Sequence, residues 1–313
     1  MEISIGYWIG FLVFVIIMLM LDLGVFHKKD AEVKVKEAIL WSIFWISLAL
    51  IFNVVIYYVF GKVQALDFFT AYVLEKSLSV DNLFVFILIF GYFNIAPKYQ
   101  HRVLFWGIFG ALVMRAVFIF AGVALIQKFS WIMYVFGVFL VYTGIHMIAG
   151  KNDEENFDPD SNFVMRLFRK MMPVTEETSG HRFFIRKAGQ IHATQFFLAL
   201  LFIEISDVVF AVDSIPAVLS VSNDIFIIFT SNIFAILGLR SLYFALNGIM
   251  SYFYYLKYAL AGILSFIGLK MCINEFCTMF EYDFHISNYV SLGIIISLLT
   301  ISIIFSIIQK KKM

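Results

Sequence analysis

The chain is short of charge and of helix breakers. Only 14% of its 313 residues are Asp, Glu, Lys or Arg, and only 4 are proline. Its two cysteines, Cys272 and Cys277, rule out a disulfide scaffold or a thiolate metal cluster, and free thiols are expected. A net charge of +1 leaves no basic surplus for nucleic acid, and the basic residues are scattered along the connectors. There is no Walker-type phosphate loop and no His-Glu-x-x-His, so ATP-driven pumping and zinc hydrolysis have no signature here. The first apolar run lacks a basic leader and a small-residue cleavage site, so it reads as a membrane span and not a signal peptide.

What the chain has is apolar length. It is 62% hydrophobic with a mean hydropathy of +0.92, more apolar surface than a soluble domain of this size can hide. Continuous runs of about 20 apolar residues imply helices that cross a bilayer, because in lipid only helices and closed barrels satisfy their own backbone. The expected architecture is an all-α polytopic membrane protein with about nine spans. These lie near 5–26, 38–60, 67–93, 103–126, 130–149, 194–220, 225–248, 254–273 and 288–308. Seventeen Lys and Arg fall in connectors on one side, including Lys28, Lys98, Arg166 and the terminal Lys310–Lys312 run, against Lys62 and Lys128 on the other. The positive-inside rule then places the N-terminus outside and the C-terminus in the cytoplasm, with a bacterial inner membrane as the expected location. Within the polar connector 150–193, residues 163–172 alternate basic and apolar positions and read as a short interfacial helix.

The chain also repeats itself. Glu75-Lys-Ser-Leu-Ser-Val-Asp81-Asn82 returns as Asp207-Val-Val-Phe-Ala-Val-Asp213-Ser214. Phe109-Gly-Ala-Leu-Val-Met-Arg115 resembles Phe234-Ala-Ile-Leu-Gly-Leu-Arg240, and Leu140-Val-Tyr-Thr-Gly144-Ile-His146-Met matches Leu264-Ser-Phe-Ile-Gly268-Leu-Lys270-Met. Three spans in 67–149 thus recur in 194–273, flanked by two N-terminal spans in 1–66 and one C-terminal span with a basic tail in 274–313. A unit of three spans enters the membrane from opposite sides in its two copies. That implies an inverted repeat, with substrate bound at the repeat interface near the midplane.

Charge inside these spans needs a reason, since each charged side chain at mid-bilayer costs about 2.5–3.5 kcal/mol. The acids are Glu75, Asp81, Glu204, Asp207 and Asp213; the bases are Lys76, Arg115 and Arg240. Eight unpaired charges would cost on the order of 24 kcal/mol, more than a fold of this size absorbs. Pairing leaves two negative charges over, which a divalent cation or protons would balance. The oxygen donors Glu75, Asp81, Asp207, Asp213, Asn82, Ser79, Ser206 and Ser214 suit a hard ion, with Mn²⁺, Mg²⁺ and Ca²⁺ all open. Lys76, Arg115, Arg240 and Glu204 are read as charge-balancing groups, and Asp22 as either a step on the ion path or a residue meeting water. On each helix the two acids sit six residues apart on different faces, so each helix either shows them to two neighbours or unwinds near Pro216. His146 and Lys270, near span ends, are expected to snorkel. The competing reading makes all these acids interhelical glue.

These motifs, with Thr230-Ser-Asn-Ile-Phe-Ala-Ile-Leu-Gly-Leu-Arg240, resemble the TerC/Alx family of integral membrane proteins over nearly the whole chain. The resemblance implies a manganese-exporter-like protein from a family associated with tellurium resistance. It points to Glu75, Asp81, Asp207 and Asp213, with Asn82 and Ser214 beside them, and tips the ion toward Mn²⁺. The expectation is a secondary transporter, possessing no enzymatic activity and no tightly bound cofactor, whose partners are the ion and the lipid bilayer; its oligomeric state is open. The alternatives are a membrane-embedded enzyme and a non-transporting membrane component of a stress or tellurite resistance system.

Overall fold

The computed structural model describes residues 4–26, 34–129, 131–149, 172–175, 182–187, 189–247, 255–280, 282 and 284–310. Five helices come first: α1 (Ile5–Phe26), α2 (Val35–Phe60), α3 (Lys62–Tyr92), α4 (Pro97–Lys128) and α5 (Ile132–Ala149). Three short strands follow, β1 (Val174–Thr175), β2 (Phe184–Lys187) and β3 (Gln190–Thr194). Then come α6 (Gln195–Leu219), α7 (Ile225–Leu237), α8 (Leu239–Asn247), α9 (Leu256–Met279) and α10 (Asn288–Lys310). The protein is a polytopic helical membrane protein. Among the described residues, six segments are long and apolar enough to cross a membrane: Val35–Phe60, Pro97–Lys128, Gln195–Leu219, Ile225–Leu246, Leu256–Met279 and Asn288–Ile308. The other expected spans are α1 and α5, whose apolar stretches are shorter, and α3, which is 31 residues long but interrupted by charge.

Local chemistry sets the boundaries. Gly61 sits at φ +101°, a conformation that costs glycine little, so α2 turns straight into α3 with no linker. Pro97 opens α4, where its missing N–H would have had no helical partner. Asp224 caps α7, its carboxylate accepting from the amides of Phe226 at 3.0 Å and Ile227 at 3.4 Å. The expected span at 225–248 is divided at Gly238 into α7 and α8.

The polar connector departs from expectation. Part of it folds as a three-stranded sheet in the order β1-β3-β2, with β1 parallel and β2 antiparallel to β3. Gly189, at φ +82°, makes the β2–β3 turn, and β3 runs directly into α6. Thr194 ties that junction by donating to the Arg182 carbonyl at 2.7 Å. The expected interfacial helix lies, but for Met172, outside the described residues.

The core centres on α7, which is buried from Phe226 to Leu237. Its Phe234 ring stands 4.8 Å from that of Phe52 and 6.0 Å from those of Phe11 and Phe68, drawing α1, α2 and α3 around it. Helix α3 packs on α6 and α7, α4 on α6, and α5 on α9. The α5–α9 crossing is backbone-close. A Cβ on Gly137 would lie 2.8 Å from the Gly268 carbonyl, and one on Gly144 would lie 2.6 Å from that of Ala261. Such small-residue seams let membrane helices approach where lipid offers no hydrophobic drive.

A candidate cation site in the membrane

Arg115 on α4 is the hub. Its side chain is almost completely buried and forms ion pairs with Glu75 on α3 and with Asp207 on α6, the latter at 3.4 Å. It also donates to Ser214 Oγ at 3.5 Å and to Asn232 Oδ1 on α7 at 3.4 Å. One guanidinium therefore answers two carboxylates from different helices. A planar fork with five N–H donors suits this task, where a lysine would supply a single point of charge.

Asp213 faces elsewhere. Its carboxylate accepts from Thr143 on α5 at 3.3 Å. A cavity of about 220 Å³ lies beside it, lined by Asn82, Arg115, Thr143, His146, Met147, Asp213 and Ser214, among others. Helices α3 and α6 are continuous through their motifs, with Pro216 inside α6. The acids of α6 thus reach two neighbours from a regular helix: Asp207 turns to α4 and Asp213, six residues on, turns to α5. Local unwinding is not needed.

The cavity gathers Asn82, Asp213 and Ser214 with Arg115. Glu75 and Asp207 pair with that arginine and are not among the residues that line the cavity. The side chains of Asp81 and Asp22 lie outside the described residues. Among the described residues, no three His, Cys, Asp or Glu side chains stand together as a metal-holding group. Ser206 donates back to the Phe202 carbonyl of its own helix at 2.7 Å. Glu204 packs against α4 at Gly110, where any Cβ would collide with its carboxyl. Arg240 is buried on α8.

Two expectations are corrected. Lys76, read as a charge-balancing group, pairs with no acid among the described residues, Glu75 included. One residue further along the helix it points about 100° away, and its Nζ donates to the Ala235 carbonyl at 3.1 Å. That carbonyl belongs to the last turn of α7, where a helix leaves acceptors without intrahelical donors. Lys270 does not snorkel. It is 2% exposed and donates to Asn288 Oδ1 at 2.6 Å, while Asn288 Nδ2 donates to Asp67 at 2.7 Å and to the Val221 carbonyl at 2.6 Å. This latch joins α3, α9, α10 and the α6–α7 turn at one end of the bundle.

Several buried polar atoms near the hub have no hydrogen-bond partner among the described residues: Ser79 Oγ, Asn82 Nδ2, Asp207 Oδ2 and Arg115 Nε. Buried polar atoms are nearly always paired, so these atoms are free to take a water or a ligand. Asn232, Thr143, His146 and Met147 were missed as site residues. Thr143 lay inside a repeated motif and Asn232 inside the run Thr230–Arg240, but neither carries a charge to draw notice; His146 and Met147, though in the repeat, looked like an ordinary span end.

Comparison with known proteins agrees with this architecture. The model of the family described as "Integral membrane protein TerC family" matches residues 60–313. The chain belongs to the TerC family. The membrane protein STKORF319 of Myxococcus xanthus is 50% identical over 306 residues, covering 98% of this chain and 93% of the relative. A protein named as a candidate membrane-bound redox modulator, Alx, from Salmonella typhi is 44% identical over 308 residues, covering 96% and 93%. The Alx protein of Escherichia coli K12 is 42% identical with the same coverage. No solved structure matches the chain.

Proposed function

We propose that this TerC-family protein is a secondary transporter that exports a divalent cation, Mn²⁺ first among candidates, through the Arg115–Asp213 cavity. The observation that carries the reading is the excess of carboxylate around Arg115: buried Glu75 and Asp207 share its guanidinium, and half-buried Asp213, which accepts from Thr143, opens onto the cavity that Arg115 also lines. In this reading Arg115 is a tethered cation that offsets half of the charge of Glu75 and Asp207 while the path is empty. An arriving dication, stripped of part of its water, is held by Asp213, Asn82 and Ser214. It then competes with the guanidinium for the two shared carboxylates. Proton exchange on one of these acids would couple the movement, with no enzymatic step and no resident cofactor.

Nine spans built on an inverted repeat give the cycle its two halves. Three features support this. The Gly137–Gly268 contact has a counterpart in Ala261–Gly144, as expected if Gly144 corresponds to Gly268 and Gly137 to Ala261. Helices α3 and α6 pack on each other and each on the partner unit's second helix. His146 and Lys270, which the repeat makes equivalent, stand in opposite states: the first exposed at the cavity, the second latched by Asn288. Connector charge sets the N-terminus outside, so the cavity faces the cytoplasm and the latch closes the outer end.

The redox role named for the Alx relatives has less support here. Cys272 and Cys277 are both free, five residues apart on α9, a spacing that turns the two thiols about 140° from each other on a regular helix. The test is Mn²⁺ flux into proteoliposomes holding an internal metal-sensitive dye. Wild-type protein should move the ion and Asp213→Asn should not; equal flux in both would end the assignment.

A further inference from the structure

The oxygen donors Asp213, Asn82 and Ser214 do not by themselves separate Mn²⁺ from Mg²⁺ or Ca²⁺. The same cavity contains two donors of another kind. His146 and Met147 line it together with Thr143, and the three share one face of α5 at spacings of three and four residues. Thr143 holds Asp213 at 3.3 Å, which places the imidazole and the thioether about one helical turn, ~5.4 Å, further along the wall. His146 is exposed and Met147 half-buried, as expected for groups at the rim.

We propose that His146 and Met147 are the specificity-determining residues of the site. They offer a nitrogen and a sulfur ligand that select first-row transition-metal dications over Mg²⁺ and Ca²⁺. The chemistry is general. Mg²⁺ holds its water and takes oxygen ligands in strict octahedra, and Ca²⁺ takes oxygen alone. Imidazole and thioether are softer and favour the transition metals. An ion passing from the rim to Asp213 exchanges water for nitrogen or sulfur before it meets a carboxylate. Ions that refuse that exchange are left at the mouth. The same ordering implies that Co²⁺ and Zn²⁺ compete with Mn²⁺ more strongly than Mg²⁺ does. This inference rests on the transport reading above and adds its selectivity.

Mn²⁺ bound to purified full-length protein is itself the probe. Its electron spin echo should carry modulation from an imidazole ¹⁴N, which His146→Ala removes. His146→Gln, which keeps the bulk and offers an oxygen, should bind Mn²⁺ without that modulation. Mg²⁺ competition gives the second readout: the His146→Ala/Met147→Leu protein should lose Mn²⁺ to at least tenfold less Mg²⁺ than wild type does. Wild-type protein that binds Mn²⁺ without nitrogen modulation, or an unchanged Mg²⁺ competition in the double variant, overturns the selectivity proposal and leaves the cation site standing. Wild-type protein that neither binds nor moves Mn²⁺ overturns both.

Discussion

Glu75 and Asp207 occupy matching positions in the repeated motif, and both end on the same guanidinium, that of Arg115. Two carboxylates of separate helices would repel each other in a low-dielectric interior; one planar cation between them makes the contact attractive. Arg115 is thus structural and functional at once, since it joins α3, α4 and α6 and holds the charges a passing ion would need.

Removing it should therefore unfold the centre of the bundle. Arg115→Met strands two buried carboxylates, and breaking a buried pair typically costs about 3–5 kcal/mol. Thermal unfolding in detergent should show a large drop in midpoint. Adding Glu75→Gln and Asp207→Asn to the same protein should recover most of it, because the stranded charges are then gone. A triple variant as unstable as Arg115→Met would mean that the arginine acts through packing.

Asp213 should behave differently. Its hydrogen bond among the described residues, from Thr143 at 3.3 Å, is long, so it falls toward or below the low end of the about 1.5–3 kcal/mol of a bond to a charged group, and an asparagine oxygen can still accept it. Asp213→Asn keeps the shape and should shift the unfolding midpoint only slightly while lowering Mn²⁺ flux at least tenfold. Thr143→Val should lower flux less, because the carboxylate stays but is no longer held. If Asp213→Asn melts like Arg115→Met, the carboxylate is structural.

How much of this could be read in the sequence follows from what each signal measures. Apolar runs report what lipid or core must cover, so most helices were legible. They do not report contacts, so nothing marked α7 as the buried centre. The strands β2 and β3 escaped because their register is set by the hairpin turn at Gly189 within an otherwise polar connector. Charge inside a span singled out Glu75, Arg115, Asp207 and Asp213 as residues needing partners. It could not say which partner each would find: Lys76 and Lys270 turned to a helix end and an asparagine.

The α5–α9 seam gives a test that needs no ion. A side chain at Gly137 or Gly268 would press into the opposing backbone, which cannot retreat as a side-chain tip can. Gly268→Val should cost about 1–3 kcal/mol by overpacking, and Gly137→Val about as much. Gly262→Val is the control: a Cβ there meets only Leu298, at 3.4 Å. Similar losses at all three positions would show that helix propensity, and not the crossing, sets the cost.

The latch at the other end of the bundle can be taken apart in order. Asn288 accepts from Lys270 and donates to Asp67, so Asn288→Ala leaves a buried ammonium and a carboxylate each short of a partner. Each orphaned group costs about 1–3 kcal/mol, more when charged. Lys270→Met in the Asn288→Ala background removes one orphan and should restore part of the stability, so the two losses should sum to more than the double variant shows. The same pair also tests the outer seal. If the latch closes that end, a cysteine replacing Ser222, buried beside Asp67, should react with an impermeant maleimide faster in Asn288→Ala than in the parent. Equal labelling rates with an intact stability loss would make the latch a fastening of the fold and leave the gate to be sought in α5.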